Sequence, residues 1–183
     1  MPIADSIQHA VPLPEGISAT MEGDTLCVQG PNGSLKREFA SRTVSMSINN
    51  SNIIIKADLP RKADKALAGT WKAHSTNMVH GAQQDFEYRL KAVYSHFPMT
   101  LEASDSNDTF TVKNYYGEKV PRTTPILPQS KVTVVNRLEV IVTSSDKEVA
   151  GQMAANIERL CGVGQRDRRV FQDGIYITSK GGW

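Results

Sequence analysis

Tyr115 and Tyr116 stand inside a run of bases, where Lys113, Lys119, Arg122, Lys131 and Arg137 are opposed by Glu118 alone. A second run carries Arg159, Arg166, Arg168, Arg169 and Lys180 against Asp167 and Asp173. Lysine and arginine neutralise phosphates, and exposed aromatic rings stack on unpaired bases, so together these runs read as a surface for RNA. Either run taken alone fits an ordinary solvated face equally well. Arg166-Asp167-Arg168-Arg169 is more pointed, because guanidinium groups this close repel one another until something anionic neutralises them. The candidate RNA-binding residues are therefore Lys113, Tyr115, Lys119, Arg122, Arg166, Arg168, Arg169 and Lys180.

Other chemistries find little support. His74 and His80 do not share a helix face, since two ligands on one helix need spacing i, i+3 or i, i+4. Gly162-Val163-Gly164 follows a helical stretch rather than leading into one, which suits a helix end and not a phosphate loop. Cys27 and Cys161 lie far apart in no metal-ligand spacing and are expected as reduced, small apolar residues. Serines, histidines and aspartates are scattered without a nucleophile elbow. The expectation is no catalytic residue, no metal, no cofactor and no enzyme.

The elements that would hold the basic runs come from a duplication. Gly23–Val28 aligns with Asn107–Val112, and without a gap Gly33 meets Gly117. Asn52–Ile55 aligns with Glu139–Val142, and Leu67–Trp71 with Val149–Met153. The order of the three blocks carries the match more than their identity does. In the first copy, strands are expected over Ile17–Met21, Thr25–Gln29, Leu35–Phe39, Val44–Ile48 and Ile53–Ala57, with Gly33 free to take positive φ. After Pro60 the period changes, and a helix is expected from about Lys62 to His80, stopping near Gly81. In the second copy, Leu101–Ala103 and Phe110–Lys113 flank an acidic turn from Ser104 to Asp108. Lys131–Val135 and Leu138–Thr143 form a hairpin, and Ser144-Ser145-Asp146 caps a helix running through Leu160.

The fold class is α+β, as two tandem homologous domains, residues 1–82 and 83–183, each an antiparallel sheet packed with one main helix. Duplication leaves unexplained the alternating segment Asp85–Tyr94 and the tail from Gly164. Residues 1–14 make an N-terminal tail that the pattern leaves unassigned. A net charge of +2 and 39% hydrophobic residues fit a folded soluble chain whose basic character is local. The N-terminus lacks the basic start and apolar core of a signal peptide, and no stretch approaches the ~20 apolar residues of a membrane span. A cytoplasmic protein is expected, with the sequons at Asn49 and Asn107 as chance matches.

The sequence resembles the family of the sixth protein of the large ribosomal subunit, in its archaeal or eukaryotic branch. Val28-Gln29-Gly30-Pro31-Asn32-Gly33-Ser34-Leu35, Tyr94-Ser95-His96-Phe97-Pro98 and the tail Arg166–Ile177 carry the resemblance. It covers nearly the whole chain from about Ile17, duplication included, and the tail is its most specific part. The resemblance implies two related α+β domains bound to large-subunit (23S-type) rRNA near the stalk base and the sarcin–ricin region, beside neighbouring ribosomal proteins. The bacterial branch has a differently worded, lysine-rich tail. The rival from another class is a tandem-domain adaptor for proteins, without nucleic acid, which predicts an exposed apolar patch or strand edge instead of a basic face.

Overall fold

A computed structural model of the chain describes residues 6–49, 51–104, 108–164 and 166–181. Two compact units divide between Asp85 and Phe86. The first holds strands β1 (Ser6–Pro12), β2 (Ser18–Glu22), β3 (Thr25–Gly30), β4 (Gly33–Glu38), β5 (Val44–Asn49) and β6 (Asn52–Asp58), then helix α1 (Lys62–Gln83). The second holds β7 (Phe86–Val93), β8 (Thr100–Ser104), β9 (Thr109–Lys113), β10 (Arg122–Pro125), β11 (Lys131–Asn136), β12 (Glu139–Ser144), helix α2 (Lys147–Leu160) and β13 (Gly174–Ser179).

In the first unit β6 lies between β1 and β5, β3 lies between β2 and β4, and every pairing is antiparallel. Alternation decides which side chains turn inward: Ile53 and Ile55 from β6, and Leu26 and Val28 from β3, are fully buried. Helix α1 covers them with Ala68 and Trp71, and Phe39 meets the Trp71 ring edge-on at 5.3 Å between centroids. Each such aliphatic side chain contributes about 1.5–3 kcal/mol through burial. The second unit repeats the scheme in the sheet β11-β12-β7-β13 and the meander β8-β9-β10. Leu90, Phe110, Val112, Val140, Val142, Met153 and Ile157 form its core. As expected from sequence, Asp146 caps α2, its carboxylate accepting the Glu148 N–H at 2.8 Å.

In its elements the structure departs from the sequence reading in two places. The segment Asp85–Tyr94 does belong to the repeat: β7 pairs with β12 as β1 pairs with β6. Ala10 stands opposite Ile54, Arg89 stands opposite Ile141, and those two isoleucines are themselves matched positions. Its counterpart was hidden because β1 turns Ile7, His9 and Val11 inward, and a histidine blurs the apolar alternation. Only β13 has no partner in the first unit among the described residues. Of the expected acidic turn, residues 105–107 lie outside the described ones, as do residues 1–5 of the N-terminal tail.

Helix α1 also continues past its expected end to Gln83, and Gly81 is buried inside it. The turn between β3 and β4 docks on this helix end. The Asn32 amide donates to the Gly81 carbonyl at 3.0 Å and to Asp85 at 2.7 Å, while the Asn32 N–H donates to the Ala82 carbonyl at 3.0 Å. A Cβ on Gly30 would stand 2.5 Å from that Ala82 oxygen, closer than real Cβ atoms come. Gly30→Ala is therefore expected to destabilise the chain by about 1–3 kcal/mol, read as a lower urea midpoint at unchanged m. An unchanged midpoint would mean that the turn does not hold the helix end.

Candidate nucleic-acid interface

The second unit places its chemistry where α2 ends. After β9 the chain makes a tight turn, Tyr115–Gly117, with Asn114, Tyr116 and Gly117 at φ of 61°, 48° and 76°. Left-handed geometry costs a non-glycine residue about 1–2 kcal/mol, and burial of both tyrosine rings offsets it. Tyr115 is 1% exposed, and its hydroxyl donates to the carbonyls of Cys161 (2.7 Å) and Asp173 (3.2 Å). Burial, reinforced by Cys161, pushes the phenol far above its ordinary range. Burial likewise pushes the Cys161 thiol up to about 11, so it stays protonated.

Tyr115 is therefore a correction to the sequence reading, because a ring sealed in the core cannot stack on a base. Arg122 is a second correction. It forms a bidentate pair with Glu118, Nε to Oε2 at 2.8 Å and Nη2 to Oε1 at 2.7 Å. Its remaining donor reaches the carbonyls of Leu160 (2.9 Å) and Gly162 (3.0 Å), and its guanidinium carbon lies 4.3 Å above the Tyr115 ring. Hydrogen bonding to Arg122 holds the Glu118 carboxyl below the usual range. Arg122 closes the α2 terminus, where a cation also meets the negative end of the helix dipole.

The other predicted cations divide by partner. Lys113 pairs with Glu102 at 2.7 Å on the surface, and Arg169 pairs with Asp167 at 2.9 Å while remaining 89% exposed. Such exposed pairs are worth only about 0–1 kcal/mol and yield readily to a phosphate. The Arg166 guanidinium sits 4.4 Å from the Tyr116 ring centroid and 5.5 Å from that of Phe171. Lys119, Arg168 and Lys180 are exposed and have no partner among the described residues. Lys180 follows the far end of β13, about 20 Å of strand away from the others, so it stands apart from the cluster.

Asp173, Ser95 and His96 are functional-looking residues that charge and spacing did not reveal. Asp173 is 3% exposed. Its carboxylate accepts the N–H groups of Ser95 and His96 and the Ser95 hydroxyl, each at 3.1 Å, with His96 Nδ1 3.2 Å from both oxygens. Burial pushes this carboxyl up, and the bonds from His96 and Ser95 more than offset it, so it titrates below its ordinary range. His96 stacks on Phe171 at 5.5 Å between centroids, and the Tyr116 hydroxyl lies 3.2 Å from the Asp173 nitrogen, which donates to it. Three separate stretches of sequence thus meet in one place, leaving Arg166 and the half-exposed His96 and Phe97 at its rim. A rigid face of guanidinium groups and aromatic rings suits a polyanion with stacked bases.

No cluster of His, Cys, Asp and Glu able to hold a metal occurs among the described residues, and none of their helices is long and apolar enough to cross a membrane. Comparison with known proteins gives the chain a family. The family profile "Ribosomal protein L6" matches residues 13–85. Large ribosomal subunit protein uL6 of Methanobrevibacter smithii is 40% identical over 98% of this chain and 99% of its own length. The proteins of the same name from Methanocella arvoryzae and Methanospirillum hungatei are each 40% identical, over 93% and 96% of this chain and 95% and 98% of their own. The chain belongs to the L6 family of ribosomal proteins.

The Asp173 hub gives a pH-dependent expectation. Because its carboxyl titrates lower when folded than when unfolded, its contribution is full above the ordinary carboxylate pKa near 3.9 and is lost as pH falls through the folded value. Asp173→Asn should cost about 1.5–3 kcal/mol at neutral pH, and the difference from the parent chain should shrink below about pH 4 in urea titrations. A pH-independent difference would assign the loss to packing instead of charge.

Proposed function

We propose that this chain is a constituent of the large ribosomal subunit and binds large-subunit (23S-type) rRNA through the Arg166 face of its second unit. The observation that carries the reading is Arg166 held over Tyr116 and Phe171, with Arg168 and Lys119 beside it lacking protein partners among the described residues. A guanidinium laid on rings keeps its in-plane donors for phosphate oxygens. Lys113 and Arg169 join by exchanging a carboxylate for a phosphate. Tyr115 and Arg122 act beneath the face by holding it rigid.

The role is architectural, with contacts mainly to backbone and shape. The resemblance favours a seat near the stalk base and the sarcin–ricin region, beside neighbouring ribosomal proteins and in the cytoplasm, where the protein would support the docking of translation factors. The first domain, over residues 1–82, carries eight bases against seven acids, which suits a packing partner or a second, weaker contact.

Replacing Arg166, Arg168 and Arg169 together by Ala tests this. Affinity for a large-subunit rRNA fragment should fall by on the order of tenfold to a hundredfold, and the slope of log K against log salt should flatten by about two to three. Unchanged affinity and slope would remove the tail from the interface and favour the protein-adaptor reading.

A further inference from the structure

A cavity of about 340 Å³ opens beside this face, between the last turn of α2, the tail and the start of β13. Its size falls within the range of small-ligand sites. Arg159 and Arg168 stand at its wall, and neither has a partner among the described residues. Its apolar lining comes from Val163, Phe171 and Tyr176. The Tyr176 ring is folded back on the chain, its hydroxyl donating to the Gln172 carbonyl at 2.8 Å, and it remains 43% exposed. A fixed, half-exposed ring beside two unpaired guanidinium groups forms a stacking platform next to anion donors.

The end of a helix ordinarily repels phosphate, because its last carbonyls carry partial negative charge. Here those of Leu160, Cys161 and Gly162 are already taken up by Arg122 and Tyr115. Glu158, the acid on the wall, accepts the Ile177 N–H at 3.3 Å and has acceptor capacity left for the amine of a base.

We propose that this cavity receives one unstacked nucleotide of the bound RNA, its base against Tyr176 and its phosphate on Arg159 and Arg168. The inference rests on the rRNA-binding reading and adds to it a discrete nucleotide site that adjoins the Arg166 face and shares Arg168 and Phe171 with it.

The test uses the full chain bound to purified large-subunit rRNA, irradiated with ultraviolet light, then digested and read by mass spectrometry. A single-nucleotide adduct is expected on the Val170–Lys180 peptide. Tyr176→Leu should abolish it and weaken binding about tenfold, since base–aromatic stacking is worth that much or more. Tyr176→Phe, which keeps the ring, should retain adduct and affinity. The single variant Arg159→Gln, outside the Arg166 face, should weaken binding while leaving the fold, followed by circular dichroism, unchanged. If the chain binds rRNA with its steep salt dependence but gives no adduct on that peptide, and Tyr176→Leu binds as the parent does, the cavity is not a nucleotide site and the rRNA reading stands. If the chain binds rRNA no better than unrelated RNA at matched salt, both are overturned.

Discussion

An α-helix leaves its last carbonyls without internal partners, and a helix packed across a sheet cannot hand all of them to water. Both units meet this constraint in the same way. A turn at the end of the central strand of each three-stranded meander is brought against the helix end and supplies the missing donors. In the first unit the turn after β3 does so with the Asn32 amide and N–H, which take Gly81 and Ala82. In the second, Tyr115 from the turn after β9 takes Cys161, and Arg122 at the start of β10 takes Leu160 and Gly162. The aligned glycines at 33 and 117 (φ 134° and 76°) give these turns the backbone freedom to reach. One arrangement therefore joins the meander to the helix in each unit, by different side chains.

The second unit builds on that joint. With Tyr115 and Arg122 fixed on the helix end, Tyr116 and the Asp173 backbone are held beside them, and the Asp173 carboxylate fastens the 95–96 loop. The tail then enters the sheet as β13 along the open edge of β7. The backbone hydrogen bonds and the buried Ile175 supply the adhesion that its charged loop lacks. The segment carrying Arg166, Arg168 and Arg169 is thus tied to the sheet through β13, and Arg166 is further held over Tyr116 and Phe171.

Sequence made some of this legible. Alternation at Ile53–Ala57 and at Phe86–Val93, and the capping run at Ser144–Asp146, stated strands and a helix start that the structure contains. Local charge found the two basic runs. It could not separate Arg122, bound to Glu118 and the helix carbonyls, from Arg168, because the difference is made by a helix end forty residues away in sequence. Tyr115 and Tyr116 look alike in one dimension, yet one ring is sealed in the core and the other supports Arg166. Asp173 counted only as a negative charge diluting the tail, and its burial under Ser95 and His96 depends on contacts of long sequence separation. Resemblance had marked those segments together without a physical reason. The hub provides one.

Duplication explains the shared joint, and the two units depart from it in charge. In the first unit the turn docks with an uncharged amide and the loop carries no cation cluster. In the second the helix end is also met by an arginine, Arg122 at the start of β10, whose charge Glu118 balances. The cations without such an obligation are Lys119, Arg166 and Arg168, all exposed. Rigidity and charge are thereby assigned to different residues: the buried tyrosine and the paired arginine hold the frame, and the unpaired guanidinium groups face outward from it. A tail of the same composition without Asp173 and β13 would keep its charge and lose its fixed spacing. It would attract a polyanion without favouring one shape of it over another.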